Sequence, residues 1–270
     1  MNSDIKNSPI GIFDSGLGGL TTVKALKKLM PYEDIIYFGD TARAPYGSKS
    51  KEEILEYASQ ITKFLKSFGV KAIVAACGTV SSYMDELPEF KNLYGVIDPT
   101  CRAALKVSRN MKIGVMGTSA TIKSHSYIKK IHSLNSSAEV FQVACPLLVP
   151  IIESGALNES KTQLFEILKD YTKELIYKDV DTLILGCTHY PIIEDIISEV
   201  IGKNVTIVNS GAKTAENLKN TLKIQNLESN KNKIGKCNFY VSGDVGKFSE
   251  TAKIFLNYDI KDHVHKIISL

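Results

Sequence analysis

Seven short runs of β-branched and aliphatic residues recur along the chain, and each is followed by a stretch of helical period. They are "IGIF" (10–13), "DIIYF" (34–38), "KAIVAA" (71–76), "YGVI" (94–97), "KIGVM" (112–116), "TLILG" (182–186) and "VTIV" (205–208). Being apolar on both faces, they suit a parallel sheet covered by helices. Between them, "KEEILEYASQITKFLKSFG" places Ile54, Leu55, Ala58, Ile61, Leu65 and Phe68 on one helical face and closes at Gly69. "ESKTQLFEILKDYTKELIY" and "PIIEDIISEVIG" behave the same way, the second ending at Gly202. Strands alternating with helices predict an α/β fold, in which chemistry collects at the carboxyl ends of the strands.

The pattern is stated twice. "IGIFDSG" at 10–16 is echoed by "IGVMGTS" at 113–119, and "AIVAACGTV" at 72–80 by "TLILGCTHY" at 182–190. Gly11 and Cys77 are 66 positions apart, and Gly114 and Cys187 are 73 apart. The echo predicts two similar α/β domains with mostly parallel sheets, each bringing one strand-end cysteine to the cleft between them.

Two facing thiols suit one kind of chemistry. Moving a proton from one face of a carbon to the other needs a base on one side and an acid on the other, and a thiolate–thiol pair exchanges those roles on inversion. A free thiol has a pKa of about 8.5, near enough to neutrality for modest tuning to matter. Cys77 and Cys187 both precede helical segments, whose N–H groups favour negative charge. Thr79 and Thr188 stand at the same turns, where a hydroxyl and an N–H can hold a carboxylate. Asp14 and His189 are candidates for tuning and proton placement, although Asp14 could instead cap the helix starting near Gly18.

Other classes find little support. The chain is 44% hydrophobic and 23% charged, the composition of a soluble globular protein. It has no apolar run of the roughly 20 residues a bilayer crossing needs, and "MNSDIKNSP" is no secretory signal. A cytoplasmic protein without membrane contact is expected. The net charge of +4 comes from lysines spread along the chain, so no nucleic-acid partner is expected. Five cysteines without a C-x-x-C pair argue against a disulfide framework, a zinc ribbon or a redox dithiol. With no clustered ligands, neither a metal nor another cofactor is expected. "DSGLGG" lacks the Gly-Lys-Ser/Thr of a phosphate loop. Cys101, Cys145 and Cys237 read as buried structural thiols, and His125, His132, His263 and His265 as surface residues.

"GIFDSGLGGL", "YFGDTARAPYGSKS", "ACGTVSS", "GVMGTSATIKS" and "LGCTHYP", in this order, resemble the glutamate racemases of bacterial cell-wall synthesis, from about residue 10 to "VNSG" at 208–211. The resemblance implies a cofactor-independent enzyme converting L-glutamate to D-glutamate for peptidoglycan, with the active site between two α/β domains. One domain would comprise 1–98 completed by 210–270, the other 99–209, and the protein would be a homodimer. Carried over by motif, Cys77 and Cys187 are the acid/base thiols, with Asp14 assisting the first and His189 the second. Asp14, Ser15, Tyr46, Gly47, Gly78, Thr79, Thr121, Thr188 and His189 fall on substrate-holding positions, and Asp40 and Glu153 on acidic positions close by.

One residue departs from the pattern. The family usually reads "CNT" after the first cysteine, and here it is "CGT". Gly78 offers only backbone groups where an Asn would donate and accept. Glutamate is still expected as substrate, and Gly78→Asn is expected to be tolerated. The alternatives are a related enzyme acting on another substrate, such as an aspartate or hydantoin racemase or a decarboxylase, and a non-catalytic two-domain binding protein.

Overall fold

The computed structural model describes residues 3–87, 92–155, 157 and 161–267. The chain first lays down β1 (Ile10–Asp14), β2 (Ile35–Gly39), β3 (Ala72–Ala75) and β4 (Leu93–Gly95). It then forms β5 (Lys112–Gly117), β6 (Glu139–Ala144), β7 (Thr182–Leu185) and β8 (Thr206–Asn209), and later β9 (Cys237–Val241) and β10 (Val264–Lys266). The strands make two sheets of order β10-β9-β2-β1-β3-β4 and β6-β5-β7-β8. Every pairing is parallel. The α/β class with mostly parallel sheets is thus the observed one, and the repeat becomes concrete. β2-β1-β3-β4 and β6-β5-β7-β8 have the same order, with Cys77 just past β3 and Cys187 just past β7.

Local sequence explains the elements. Ser50 caps the helix Lys51–Ser67: its hydroxyl accepts from the Glu53 N–H at 3.2 Å while the Glu53 carboxylate accepts from the Ser50 N–H at 2.9 Å. Ile54, Ala58, Ile61 and Leu65 from its apolar face are buried. Gly69 ends it at φ +66°, a conformation that costs glycine little. β1, β2, β3 and β7 are buried along their whole length, as double-faced burial in a parallel sheet requires.

The run at 94–97 is only partly strand: β4 stops at Gly95, and Ile97 opens the helix Ile97–Val107. Glu159 and Ser160 lie outside the described residues. The C-terminal segment returns to the first sheet, where β9 pairs with β2. Lys71, just before β3, anchors this return from below. Its buried ammonium donates to Glu33 at 2.5 Å and to the carbonyls of Lys6 and Leu227 at 2.6 and 2.8 Å. The helix Ser210–Ile224 leaves the second sheet and packs on Leu20–Leu29 and Ile97–Val107.

Candidate active site

Between the carboxyl ends of the two sheets lies a cavity of about 590 Å³. Cys77 and Cys187 both line it, each 6% exposed. Ser15, Tyr46, Gly47, Gly78, Thr79, Thr121, Thr188, His189 and Glu153 line it as well. Asp14 and Asp40 do not: they are 1% and 0% exposed and lie behind the wall.

On the first sheet's side, Cys77 caps the four-residue helix Gly78–Ser81. Its sulfur donates to the Ser15 hydroxyl at 3.7 Å. The surroundings of this thiol act against the downward tuning expected at such a junction. Burial, reinforced by the Asp14 carboxylate, pushes Cys77 up to about 12, against the pull of Ser15 and the Val80 and Thr79 N–H groups. A one-turn helix has too short a dipole to compensate for complete desolvation.

Asp14, expected to touch substrate, turns inward. Its carboxylate accepts from the Gly16 N–H at 2.9 Å and from the Thr188 hydroxyl at 3.4 Å. It also meets the Gly19 N–H at the start of the helix Leu20–Leu29, so the capping role expected for it is partly met. Burial raises the Asp14 carboxyl, while His189 and the Gly16 and Gly19 N–H groups oppose the rise. The Tyr37 hydroxyl donates to the Gly16 carbonyl at 2.8 Å and fixes the loop that carries Ser15.

Asp40 accepts hydrogen bonds from the Tyr46 hydroxyl, from Arg43 Nε at 2.7 Å and from Ser242 at 2.7 Å. This ties the loop bearing Tyr46 and Gly47 to the returning C-terminal segment. Tyr46 therefore lines the cavity with its hydroxyl already committed, and burial followed by the Asp40 charge holds that phenol protonated.

On the second sheet's side, His189 lies between Cys187 and an acid. Nδ1 is 3.8 Å from the Cys187 sulfur and Nε2 is 2.8 Å from the Glu153 carboxylate. Burial opposes a charge on this ring, but Cys187, Glu153 and Asp14 outweigh it and raise His189 to about 10. These partners favour the charged form of the ring. Phe255 meets the ring edge-on at 5.5 Å and fixes its plane. The two sides are joined through Thr21, whose hydroxyl donates to the Thr188 carbonyl at 2.9 Å, and through a 3.4 Å contact between the Thr79 and Thr118 hydroxyls.

Cavity residues that sequence reasoning missed have identifiable signals. Thr118 and Ser119 line the wall, and in the internal repeat they align with Ser15 and Gly16. Thr118 also caps the helix Ser119–Lys123 that holds Thr121. Cys145, assigned only a structural role from sequence, is a third thiol in the wall. It follows β6 as Asp40 follows β2. Burial and the neighbouring Cys187 push it up, so it stays a thiol. Among the described residues, no group of three or more His, Cys, Asp or Glu side chains could hold a metal ion.

The expected tolerance of Gly78→Asn fails on geometry. A Cβ at 78 would lie 2.6 Å from the backbone carbonyl oxygen of Gly186, too close without a shift of the chain.

Known proteins share both the sequence and the fold. The Asp/Glu/hydantoin racemase family matches residues 21–218. Over 257 residues the chain is 43% identical to the glutamate racemase of a Thermoanaerobacter species, covering 95% of this chain and 96% of the relative. The glutamate racemase isoform RacE1 of Bacillus anthracis superposes with a TM-score of 0.92 at 37% identity, covering 97% and 98% of the two chains. The Francisella tularensis glutamate racemase, solved with D-glutamate, superposes with a TM-score of 0.88 at 36% identity over 97% and 98%.

Proposed function

The chain belongs to the Asp/Glu/hydantoin racemase family and is an amino-acid racemase, and from that premise we propose that it interconverts L- and D-glutamate by passing the Cα proton between Cys77 and Cys187. The observation that carries this reading is the equivalence of the two thiols. Each follows the same strand of a repeated four-strand order, and both line one cavity.

In one direction a thiolate on one side takes the Cα proton, and the electron pair left behind delocalises into the substrate carboxylate. The thiol on the opposite side then delivers its own proton to the other face. The protein returns with the thiol and thiolate exchanged, ready for the opposite enantiomer. At the Cys187 side, a charge forming on sulfur meets the His189 imidazolium. The Cys77 side has no such cation, and the substrate's α-ammonium is the group that would supply one.

Thr79, Thr121 and Thr188, with Ser15 and the backbone N–H groups near Gly47 and Gly78, would hold the carboxylates. Asp14 would act on Cys77 and through Thr188, and Glu153 would orient His189. This chemistry needs no cofactor or metal. The two sheets support a division into 1–98 with 210–270 and 99–209. Provision of D-glutamate for peptidoglycan, a cytoplasmic setting and a homodimer complete the reading. No described helix is long and apolar enough to cross a membrane.

The test is incubation with L-glutamate in deuterated water without added cofactor. The expected result is D-glutamate carrying deuterium at Cα. Better turnover of aspartate, or activity only after pyridoxal phosphate is added, would overturn it.

A further inference from the structure

Gly78 lies in the cavity wall beside Cys77, where the backbone of the other half comes close. The atom that a Cβ at 78 would strike is the carbonyl oxygen of Gly186, the residue before Cys187, at 2.6 Å. The next heavy atom, Thr121 Oγ1, is 3.6 Å away and would be an ordinary contact. A carbonyl oxygen cannot rotate aside as a side chain can. Gly186 is itself held, because its N–H donates to the Met116 carbonyl at 2.8 Å, and a Cβ there would meet the same oxygen at 2.8 Å. Gly78 is held on its own side, where its carbonyl accepts from the Ser82 N–H at 3.0 Å and the Ser82 hydroxyl at 2.9 Å. The segment before Cys77 is tied to β1 by the Ala76 N–H, which donates to the Phe13 carbonyl at 2.9 Å, so the direct relief is to move the two strand ends apart.

We propose that Gly78 is a positioning residue whose missing side chain sets how closely the strand ends bearing Cys77 and Cys187 face each other. The proposal rests on the two-thiol reading. It assigns this chain a narrower setting at that point than a relative with Asn at the same position could adopt without a compensating shift. Removing the Cα proton needs one thiol in reach, whereas inversion needs both in reach of the same carbon. Widening the gap therefore costs inversion more than it costs proton exchange with retention.

The test compares the parent with Gly78→Ala and Gly78→Asn in deuterated water, measuring racemisation and Cα deuterium exchange separately from each enantiomer. Inversion is expected to fall by about 100-fold in both variants, as misplacement on the order of 1 Å can cause, while exchange from at least one enantiomer falls far less. Iodoacetamide alkylation, mapped by mass spectrometry, supplies a readout that needs no turnover. Cys77 and Cys187 should react faster in the variants, and Cys101, fully buried in the helix Ile97–Val107, should not. An unchanged exchange-to-inversion ratio with unchanged alkylation overturns the proposal, as does acceleration that extends to Cys101. A parent that does not racemise glutamate sinks the substrate reading instead, and the alkylation pattern then still decides the role of Gly78.

Discussion

The strand ends after β3 and β7 occupy equivalent places in the repeat and present the same thiol, yet different side chains surround the two sulfurs. Burial, and then the Asp14 carboxylate, push Cys77 up to about 12. Beside Cys187 stands His189, raised to about 10 against burial by Cys187, Glu153 and Asp14. The two units share their strand order, while the side chains around each sulfur differ. A racemase gains from such a difference, because one face must start as a proton donor while the other accepts. The resting protein is biased toward one arrangement, and a cationic substrate group can offset that bias on the Cys77 side.

The largest effect should come from removing either sulfur. Cys77→Ser and Cys187→Ser replace a tunable thiol by a hydroxyl that stays protonated, and each should lower racemisation by on the order of 10²- to 10⁴-fold. The comparison sharpens if each variant still exchanges the Cα proton of one enantiomer, and a different one in each case. Near-normal turnover by either variant would break it.

Asp14→Asn should come next. The amide keeps an acceptor for the Gly16 N–H but removes the charge that raises Cys77. Alkylation of Cys77 should then begin at lower pH than in the parent. Racemisation should nonetheless fall, by about 10² or more if Asp14 shares in proton transfer. A Cys77 alkylation profile identical to the parent's would show that burial alone raises that thiol.

These two variants separate what the sequence could show from what it could not. The doubly buried strands and the strand-end cysteines were legible, because burial on both faces leaves an unbroken apolar run. β6 and β10 were not, since Glu139 and Gln142 break the apolar run of the first and His265 and Lys266 that of the second. Missing β6 is what hid Cys145 at its end. β9 was also missed, with "CNFYV" carrying a polar residue at 238. The pairing of Asp14 with Cys77 and His189 with Cys187 came from the family motifs, whereas the upward push of burial on Cys77 and the contact of Glu153 with His189 arise only through tertiary packing. So does the contact between Gly78 and Gly186, which joins residues of different halves.

Glu153→Gln addresses the Cys187 side more gently. The His189 pKa is raised in the folded protein, so the protonated ring stabilises the fold fully below its ordinary value of about 6.5. That stability is lost as pH rises through about 10. With a neutral Gln at 153 the ring should titrate lower, and NMR of the His189 ring protons measures this directly. Melting temperatures between pH 6 and 10.5 should fall less steeply in the variant. The Glu153 side chain is 41% exposed, so solvent screening keeps the difference small. A His189 that titrates unchanged would mean that Cys187 and Asp14 hold its charge without Glu153.

The smallest effect is expected at the third thiol. Cys145 shares the cavity with the other two and is only 1% exposed, so proximity alone would nominate it. Its surroundings do not. Its thiol is raised by burial and then by Cys187, and no cation stands among its neighbours to reverse that. Its sulfur donates at 3.6 Å to the Val143 carbonyl. The bond it receives from the Tyr190 hydroxyl, at 3.2 Å, goes to its backbone carbonyl and survives any side-chain change. Cys145→Ala should therefore cost stability of about 1 kcal/mol, the scale of a small buried truncation, measured as a shift in the denaturant midpoint. Turnover of both enantiomers should stay within about threefold of the parent, well under the 1.4 kcal/mol that a tenfold change represents. Loss on the scale of Cys77→Ser would mean that the proton passes through a sulfur at the end of β6, and the pairing of the β3 and β7 ends would have to be redrawn.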